Sequence, residues 1–383
     1  MKIKQKFNID YEYEVVFTHN LFCDSNNALK ELLGEKNSKA IFFIDAGVDK
    51  AFPSLKKDII RWSKKNPGVL DLRLPIQIVE GGEKIKNNFS VVENLCDAMT
   101  EAGICRHSYC FIIGGGAVLD AVGFAAAIFH RGVNQIRIPT TVLSQDDSGV
   151  GVKNAINHNG VKNLFGTFAP PVAVINDSLF LTALSKREIL SGIAEAIKVS
   201  IIKDQDFFYY IKNNAEAVNK CDMMVLETII HKSAQIHMQH ICGAGDPFEK
   251  GSSRPLDFGH WSAHKLESIT NHKVKHGEAV AMGICLDAYI AVAMNLISVE
   301  IGEEIIDTFK ACGFNIWHEE LEARDSHGQL LILKGLREFQ EHLGGELTLA
   351  MPTKIGSITN IHEMPENIVE GALSQLKEVA TTQ

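Results

Sequence analysis

The chain has 383 residues, 45% of them apolar and 22% charged, with a formal net charge of -9. That length predicts two domains, and the acidic balance, with no lysine or arginine stripe, excludes a nucleic-acid partner. No apolar run reaches the length of a membrane span, and the polar start MKIKQKFNIDYEYE is unlike a signal peptide, so a cytoplasmic protein with no membrane partner is expected. Eight scattered cysteines without CxxC spacing read as reduced core residues.

Up to about residue 177, short apolar runs alternate with helical stretches, the pattern of an α/β layer. Strands are predicted over 13–17, 40–45, 75–79, 109–114, 135–139 and 172–176. Several are unbroken Val/Ile/Phe runs, as strands buried on both faces should be. The 40–45 strand ends in Asp45, and the 75–79 strand runs into Gly81-Gly82-Glu83. Both acids are candidates for the hydroxyls of a cofactor ribose, and both also suit a solvated loop. The 109–114 strand leads through Gly114-Gly115-Gly116 to Asp120 and the helical run AVGFAAAIF. Glycines at such a junction let backbone N–H groups approach a phosphate in the field of the helix N-terminus, although a tight turn without ligand has the same signature. Thr140-Thr141 open a long polar loop, 139–171, with Asp147, Lys153-Asn154 and Lys162-Asn163. Lysines there would bind a substrate phosphate, and Asp147 would hold sugar hydroxyls.

From about residue 178 helical periodicity takes over. Ser185 and Glu188 form a capping box that starts a helix through ILSGIAEAIKVSIIK. Glu195 and Lys198 lie three apart within it, in an apolar setting where a carboxylate needs a partner. That partner is either Lys198, as an ion pair, or a metal. Further helices are predicted at 207–241, 260–272, 276–296 and 299–312, then a hairpin or loop in EHLGGELTLAMPTKIG and a last helix in PENIVEGALSQLKEVA. Residues 257–280 hold His260, His264, His272 and His276. His260 and His264 share a helix face, and His276 opens an apolar helix. Imidazoles from two elements converge on a divalent metal if a carboxylate completes the set, whereas a bare His-x3-His more often marks hydrogen-bonded histidines.

Seven blocks in one order make the chain resemble the dehydroquinate synthase superfamily of sugar-phosphate cyclases: GGEKIKN, GGGAVLD, GFAAAIFHRGV, IRIPTTVLSQDDSGVGVKNAINHNGVKNLFGTF, SGIAEAIKVSIIKD, DFGH and HGEAVAMG. The resemblance implies an N-terminal Rossmann-like NAD-binding domain over 1–177, a helical metal and substrate domain over 178–383, and an active site in a cleft between them. It implies zinc or cobalt on Glu195, His260 and His276. NAD falls to Asp45, Glu83, Lys86, Gly115, Gly116, Asp120, Thr140 and Thr141. Asp147, Lys153, Lys162, Asn163, Lys198 and His264 fall on the substrate side, and Arg131 matches an arginine that reaches the substrate phosphate of a neighbouring subunit, which implies a homodimer. The implied chemistry is oxidation of a sugar-phosphate alcohol by NAD, β-elimination of phosphate, return of the hydride, and ring closure by an intramolecular aldol. The enzyme is then a lyase that regenerates NAD in each turnover.

The chain departs from dehydroquinate synthase where that enzyme holds its substrate's carboxylate. The expected lysine falls near His240, Lys250 does not align with it, Arg254 is displaced by one residue, Asp257 stands in place of an asparagine, and His342 replaces a late lysine. Asp257 and EHLGGELT are like cyclases of sedoheptulose 7-phosphate, which has no carboxylate, although those usually carry proline at the place of His264. The block DPFEKGSSRPLDFGHWSAHKLE most resembles the dehydroquinate-synthase-like proteins of the bacterial Ebo gene cluster. A cyclase of a carboxylate-free heptulose 7-phosphate is therefore expected. The alternatives are dehydroquinate synthase itself, a polyol dehydrogenase of similar architecture, and a binding homologue without turnover.

Overall fold

The computed structural model describes residues 2–243, 247–248, 255–342 and 346–381. Lys250 and Arg254 lie outside the described residues, as does the side chain of His342. Contacts divide the chain into two compact units, Met1–Thr140 with Ser148–Ala183, and Thr141–Asp147 with Leu184–Gln383. The break expected at 177/178 thus falls at 183/184, and 141–147 groups with the helices.

The first unit is a parallel sheet with helices on both faces. Its strands are β1 (Glu14–Thr18), β2 (Ser38–Asp45), β3 (Leu70–Leu72), β4 (Gln77–Val79), β5 (Tyr109–Gly114), β6 (Asn134–Pro139), β7 (Lys153–His158), β8 (Val161–Phe168) and β9 (Ala173–Asp177). Its helices are α1 (Ala28–Leu33), α2 (Ala46–Ala51), α3 (Leu55–Lys65), α4 (Phe89–Glu101) and α5 (Gly116–Ile128). The order is β1-β9-β6-β5-β2-β3, with β4 also on β2, and every pair in this sheet is parallel. Ile41, Phe43, Cys110 and Ile112 pack on one face with α4 and α5, while Phe42, Ile44, Phe111 and Ile113 pack on the other with Leu29, Ile59 and Trp62. Alternate side chains of β2 and β5 thus feed two cores, which is why both strands read as unbroken apolar runs.

All six predicted strands form; β3, three residues long, went unpredicted. The polar loop expected over 139–171 is instead largely an antiparallel hairpin, β7–β8. It turns at Asn159 and Gly160, both in the left-handed region at φ 49° and 79°, which a two-residue hairpin turn of this kind requires.

The second unit contains α6 (Lys186–Lys203), α7 (Gln205–Asn213), α8 (Ala215–Asn219), α9 (Met223–Gly243), α10 (His260–Ile269), α11 (His276–Ala293), α12 (Val299–Ala311), α13 (Lys334–His342), α14 (Glu366–Thr381) and the hairpin β10 (Leu349–Lys354)–β11 (Ser357–Ile361). The Ser185–Glu188 capping box forms as expected. The helix predicted over 207–241 is three helices, interrupted after Asn213 and again around Cys221, whose φ is 58°. By length and composition α11 would pass for a membrane span, contrary to the sequence reading, but 78% of it is buried and it is the core helix of this unit. A Cβ on Gly277 would fall 1.8 Å from the Ser191 carbonyl oxygen, so only glycine lets the start of α11 lie directly on α6.

Candidate active site

In the sheet unit, β2 has β5 on one side and β3 and β4 on the other. The chain therefore reverses its direction of winding at the carboxyl ends of β2 and β5, the switch point where open α/β sheets bind their ligands. Asp45 ends β2, and one of its oxygens accepts the Gly47 N–H at 2.7 Å, capping α2. Gly115 precedes α5, whose first turn has neither a capping side chain nor an acid. Those N–H groups suit a pyrophosphate. Thr140 is buried, and its N–H donates to the Gly114 carbonyl at 3.1 Å.

Lys86 is only 4% exposed, and its ammonium donates to Asp120 at 2.7 Å and to the Asn163 amide oxygen at 2.5 Å. Asn157, which sequence reading did not single out, donates to Glu83 at 2.9 Å and accepts the Asn163 N–H at 2.9 Å. Glu83, Lys86, Asp120 and Asn163 thus form one network, with Asn163 among residues expected to meet NAD. Burial raises the Asp120 pKa against the pull of Lys86. Arg137, fully buried and also not singled out, donates to the carbonyls of Gly149 and Gly151 and to the Asn154 side chain, fixing the chain that enters β7. Lys153 and Lys162 are exposed at opposite ends of the β7–β8 hairpin. Arg131 is exposed in the turn after α5, at φ 66°.

In the helical unit, three elements bring Glu195, His260 and His276 together. Glu195 is fully buried on α6, and its Oε1 lies 3.2 Å from His276 Nε2 and 3.5 Å from His260 Nε2. The other nitrogen of each imidazole is tied back: His260 Nδ1 lies 3.1 Å from the Phe258 carbonyl, and His276 Nδ1 lies 3.1 Å from Glu267 Oε2. With Nδ1 donating, both Nε2 lone pairs face Glu195. Among the described residues neither Glu195 oxygen has a regular hydrogen bond, although the Lys198 ammonium ion-pairs with Oε2. Two lone-pair donors and an otherwise unsatisfied carboxylate, all within 4.8 Å of one another, fit a divalent cation of the zinc type. Burial works against the charge on Glu195, but Lys198 and His260 outweigh it and hold its pKa well below the usual range.

His264 joins the group from the next turn of α10, its ring 5.3 Å from that of His260 and 5.8 Å from that of His276. Glu267 was not foreseen, yet it stands at i+7 from His260 on the same face, a signal that the i, i+4 pair could have been extended to find. A second set, His264, Glu267 and His276, has its ligand atoms equally close.

Asp147 comes from a π-helical turn, Ser144–Ser148, a geometry frequent at functional sites. Thr141 holds that turn, its hydroxyl 2.8 Å from that of Ser144. Asp147 Oδ1 is 3.1 Å from Nδ1 of His237 on α9. Beside it, Asp146 is wholly buried with neither oxygen hydrogen-bonded among the described residues, and burial together with the Asp147 and Glu195 charges raises its pKa well above the ordinary value. Nothing in the spacing of QDDS marks Asp146 or His237. Burial works against the Lys198 charge, but Glu195, Asp147 and Asp257 together raise its pKa. His240 lies on the last turn of α9.

Residues 76–191 match the family model for the 3-dehydroquinate synthase N-terminal region, and 192–334 match that for its C-terminal region. A 2-epi-valiolone synthase of Actinosynnema mirum is 34% identical over 304 residues, 78% of this chain and 77% of that protein. A 3-dehydroquinate synthase of Shewanella sp. is 36% identical over 294 residues, 76% and 80% of the two chains. The structure of 2-epi-5-epi-valiolone synthase (ValA) from Streptomyces hygroscopicus subsp. jinggangensis 5008, with NAD+ and Zn2+ bound, superposes with a TM-score of 0.86 at 24% identity, covering 98% of this chain and all of that one, a likeness of fold. The two family models meet end to end across most of the chain, which therefore belongs to the 3-dehydroquinate synthase family of sugar-phosphate cyclases.

Proposed function

We propose that this chain is a cytoplasmic, NAD- and divalent-metal-dependent cyclase that eliminates phosphate from a heptulose 7-phosphate-type ketose without a carboxylate. The observation that carries the reading is the buried Glu195–His260–His276 cluster with Lys198 and Asp147 beside it. When bound, NAD accepts and returns a hydride, and the metal polarises the substrate hydroxyl from which it comes. Glu195, His260 and His276 hold the metal. The Gly115–Gly116 turn takes the NAD pyrophosphate, with Asp45, Glu83, Lys86, Asp120, Thr140 and Thr141 as further contacts. Asp147 accepts from a substrate hydroxyl, and Lys198, kept charged by its acids, donates to substrate oxygens. Lys153, Lys162, Asn163 and His264 complete the substrate set.

The absence of a substrate carboxylate follows from charge. Relative to dehydroquinate synthase, His240 stands near the place of a lysine and Asp257 in place of an asparagine, so a fixed cation is lost and an acid gained where a substrate carboxylate would sit. Dehydroquinate synthase is the second reading, favoured by the 36% identity to a curated example. The test is phosphate release by purified protein with NAD and zinc or cobalt. Release from sedoheptulose 7-phosphate and not from 3-deoxy-arabino-heptulosonate 7-phosphate is expected; the reverse selectivity would establish the second reading.

A homodimer is part of the proposal. Among the described residues β8 pairs only with β7, and Val161, Leu164, Phe165 and Phe168 on it are exposed. An apolar strand with an open edge is an aggregation liability unless covered, and a second copy covers it, with Arg131 reaching the partner's substrate phosphate. All eight cysteines are free, which supports a reducing compartment.

A further inference from the structure

We infer that Asp287, deep in α11, is a positioning residue for His260: its carboxylate grips the residues on either side of that histidine and so fixes one arm of the metal site. Oδ2 accepts the Gly259 N–H at 3.1 Å and Oδ1 accepts the Trp261 indole N–H at 2.8 Å. Asp287 is 1% exposed and Trp261 2%. Gly259 sits in the left-handed region at φ 78°, and a Cβ there would fall 2.6 Å from the Ile284 side chain. A Cβ on Gly283 would fall 2.2 Å from the Gly259 carbonyl oxygen. The first turn of α10 therefore rests directly on the backbone of α11, and the carboxylate locks that seat. His276 opens the same helix α11, so Asp287 ties both imidazoles to one rigid element.

A structural role alone explains this residue poorly. Among the described residues no cation pairs with it, and burial pushes its pKa up to about 7 against the two N–H groups. A buried carboxylate of this kind costs stability relative to an apolar side chain of similar size. What it supplies is direction: removing either acceptor frees Gly259 or Trp261 and lets His260 Nε2 swing from the Glu195 axis. Outer groups of this sort change metal affinity by roughly 10- to 100-fold.

The inference rests on Glu195, His260 and His276 binding a metal, and the experiment separates the two. Purified wild type, D287N, W261F and E195Q are stripped of metal and titrated with Co2+, following the visible spectrum in competition with a chelator. An Asn at 287 keeps the shape but turns an N–H2 toward one of the two donors. The expected result is Co2+ affinity roughly 10- to 100-fold lower in D287N with an altered spectrum, and a smaller loss in W261F. Wild-type affinity and spectrum in both D287N and W261F would overturn the inference. Should D287N not fold, W261F alone decides it. Equal Co2+ binding by wild type and E195Q would overturn the metal reading itself.

Discussion

In the sheet unit three groups assigned to NAD stand where regular structure ends: Asp45 closes β2, Gly115 lies between β5 and α5, and Thr140 follows β6. In the helical unit they are sunk inside helices, with Glu195 at 0% exposure, Asp287 at 1%, Lys198 at 2% and Glu267 at 4%. The first arrangement uses backbone N–H groups and strand ends and costs little, because those groups are left over by the fold itself. The second buries charge, which is tolerated only where partners are fixed around it. The sheet unit thus presents backbone donors at its strand ends, and the helical unit a carboxylate set among imidazoles. Substitutions in the second should act mainly on metal binding, and those in the first on stability and nucleotide binding.

The largest effect is expected from Glu195→Gln, which removes the charge on which both imidazoles converge. Metal affinity should fall at least ~100-fold and turnover should disappear; metal content after dialysis checks the first and phosphate release the second. Next comes Lys86→Met in the sheet unit. It leaves Asp120 without its ammonium and the Asn163 amide oxygen without its donor, so urea unfolding should show a loss of about 2–4 kcal/mol together with weaker NAD binding. An unchanged midpoint would mean that this network does not hold its unit together.

Asp146→Asn should act in the opposite direction. The raised Asp146 pKa means that its contribution to stability is full below the unfolded value of 3.8 and is lost as pH rises through the folded value. Asparagine has no such loss, so the variant should gain on wild type as pH is raised from about 5 to about 8. Denaturant unfolding at the two pH values measures it, and a constant difference would show that Asp146 does not titrate there. The smallest effect belongs to Gly160→Ala, which forces a Cβ into φ 79° with open space around it. About 1 kcal/mol should be lost from the hairpin, visible as faster amide exchange in β7 and β8.

The sequence carried most of the sheet because strands buried on both faces write themselves as apolar runs, as in Ile41–Ile44 and Phe111–Ile113. Asn159-Gly160 carries the turn signature of the β7–β8 hairpin, a signal that the polar-loop reading did not use. The convergence of Glu195, His260 and His276 was legible through the family blocks. Asp287, Asp146, His237 and Arg137 were not, because each gains its role from a neighbour distant in sequence: 28 residues separate Asp287 from Gly259, and 14 separate Arg137 from Gly151. Local periodicity holds no trace of such pairings.

The most direct test follows phosphate and NADH absorbance together, with NAD, zinc and sedoheptulose 7-phosphate added to the purified protein. The account predicts continuous phosphate release with no net NADH, since a cyclase returns each hydride it takes. NADH accumulating without phosphate would contradict it and mark the chain as a dehydrogenase.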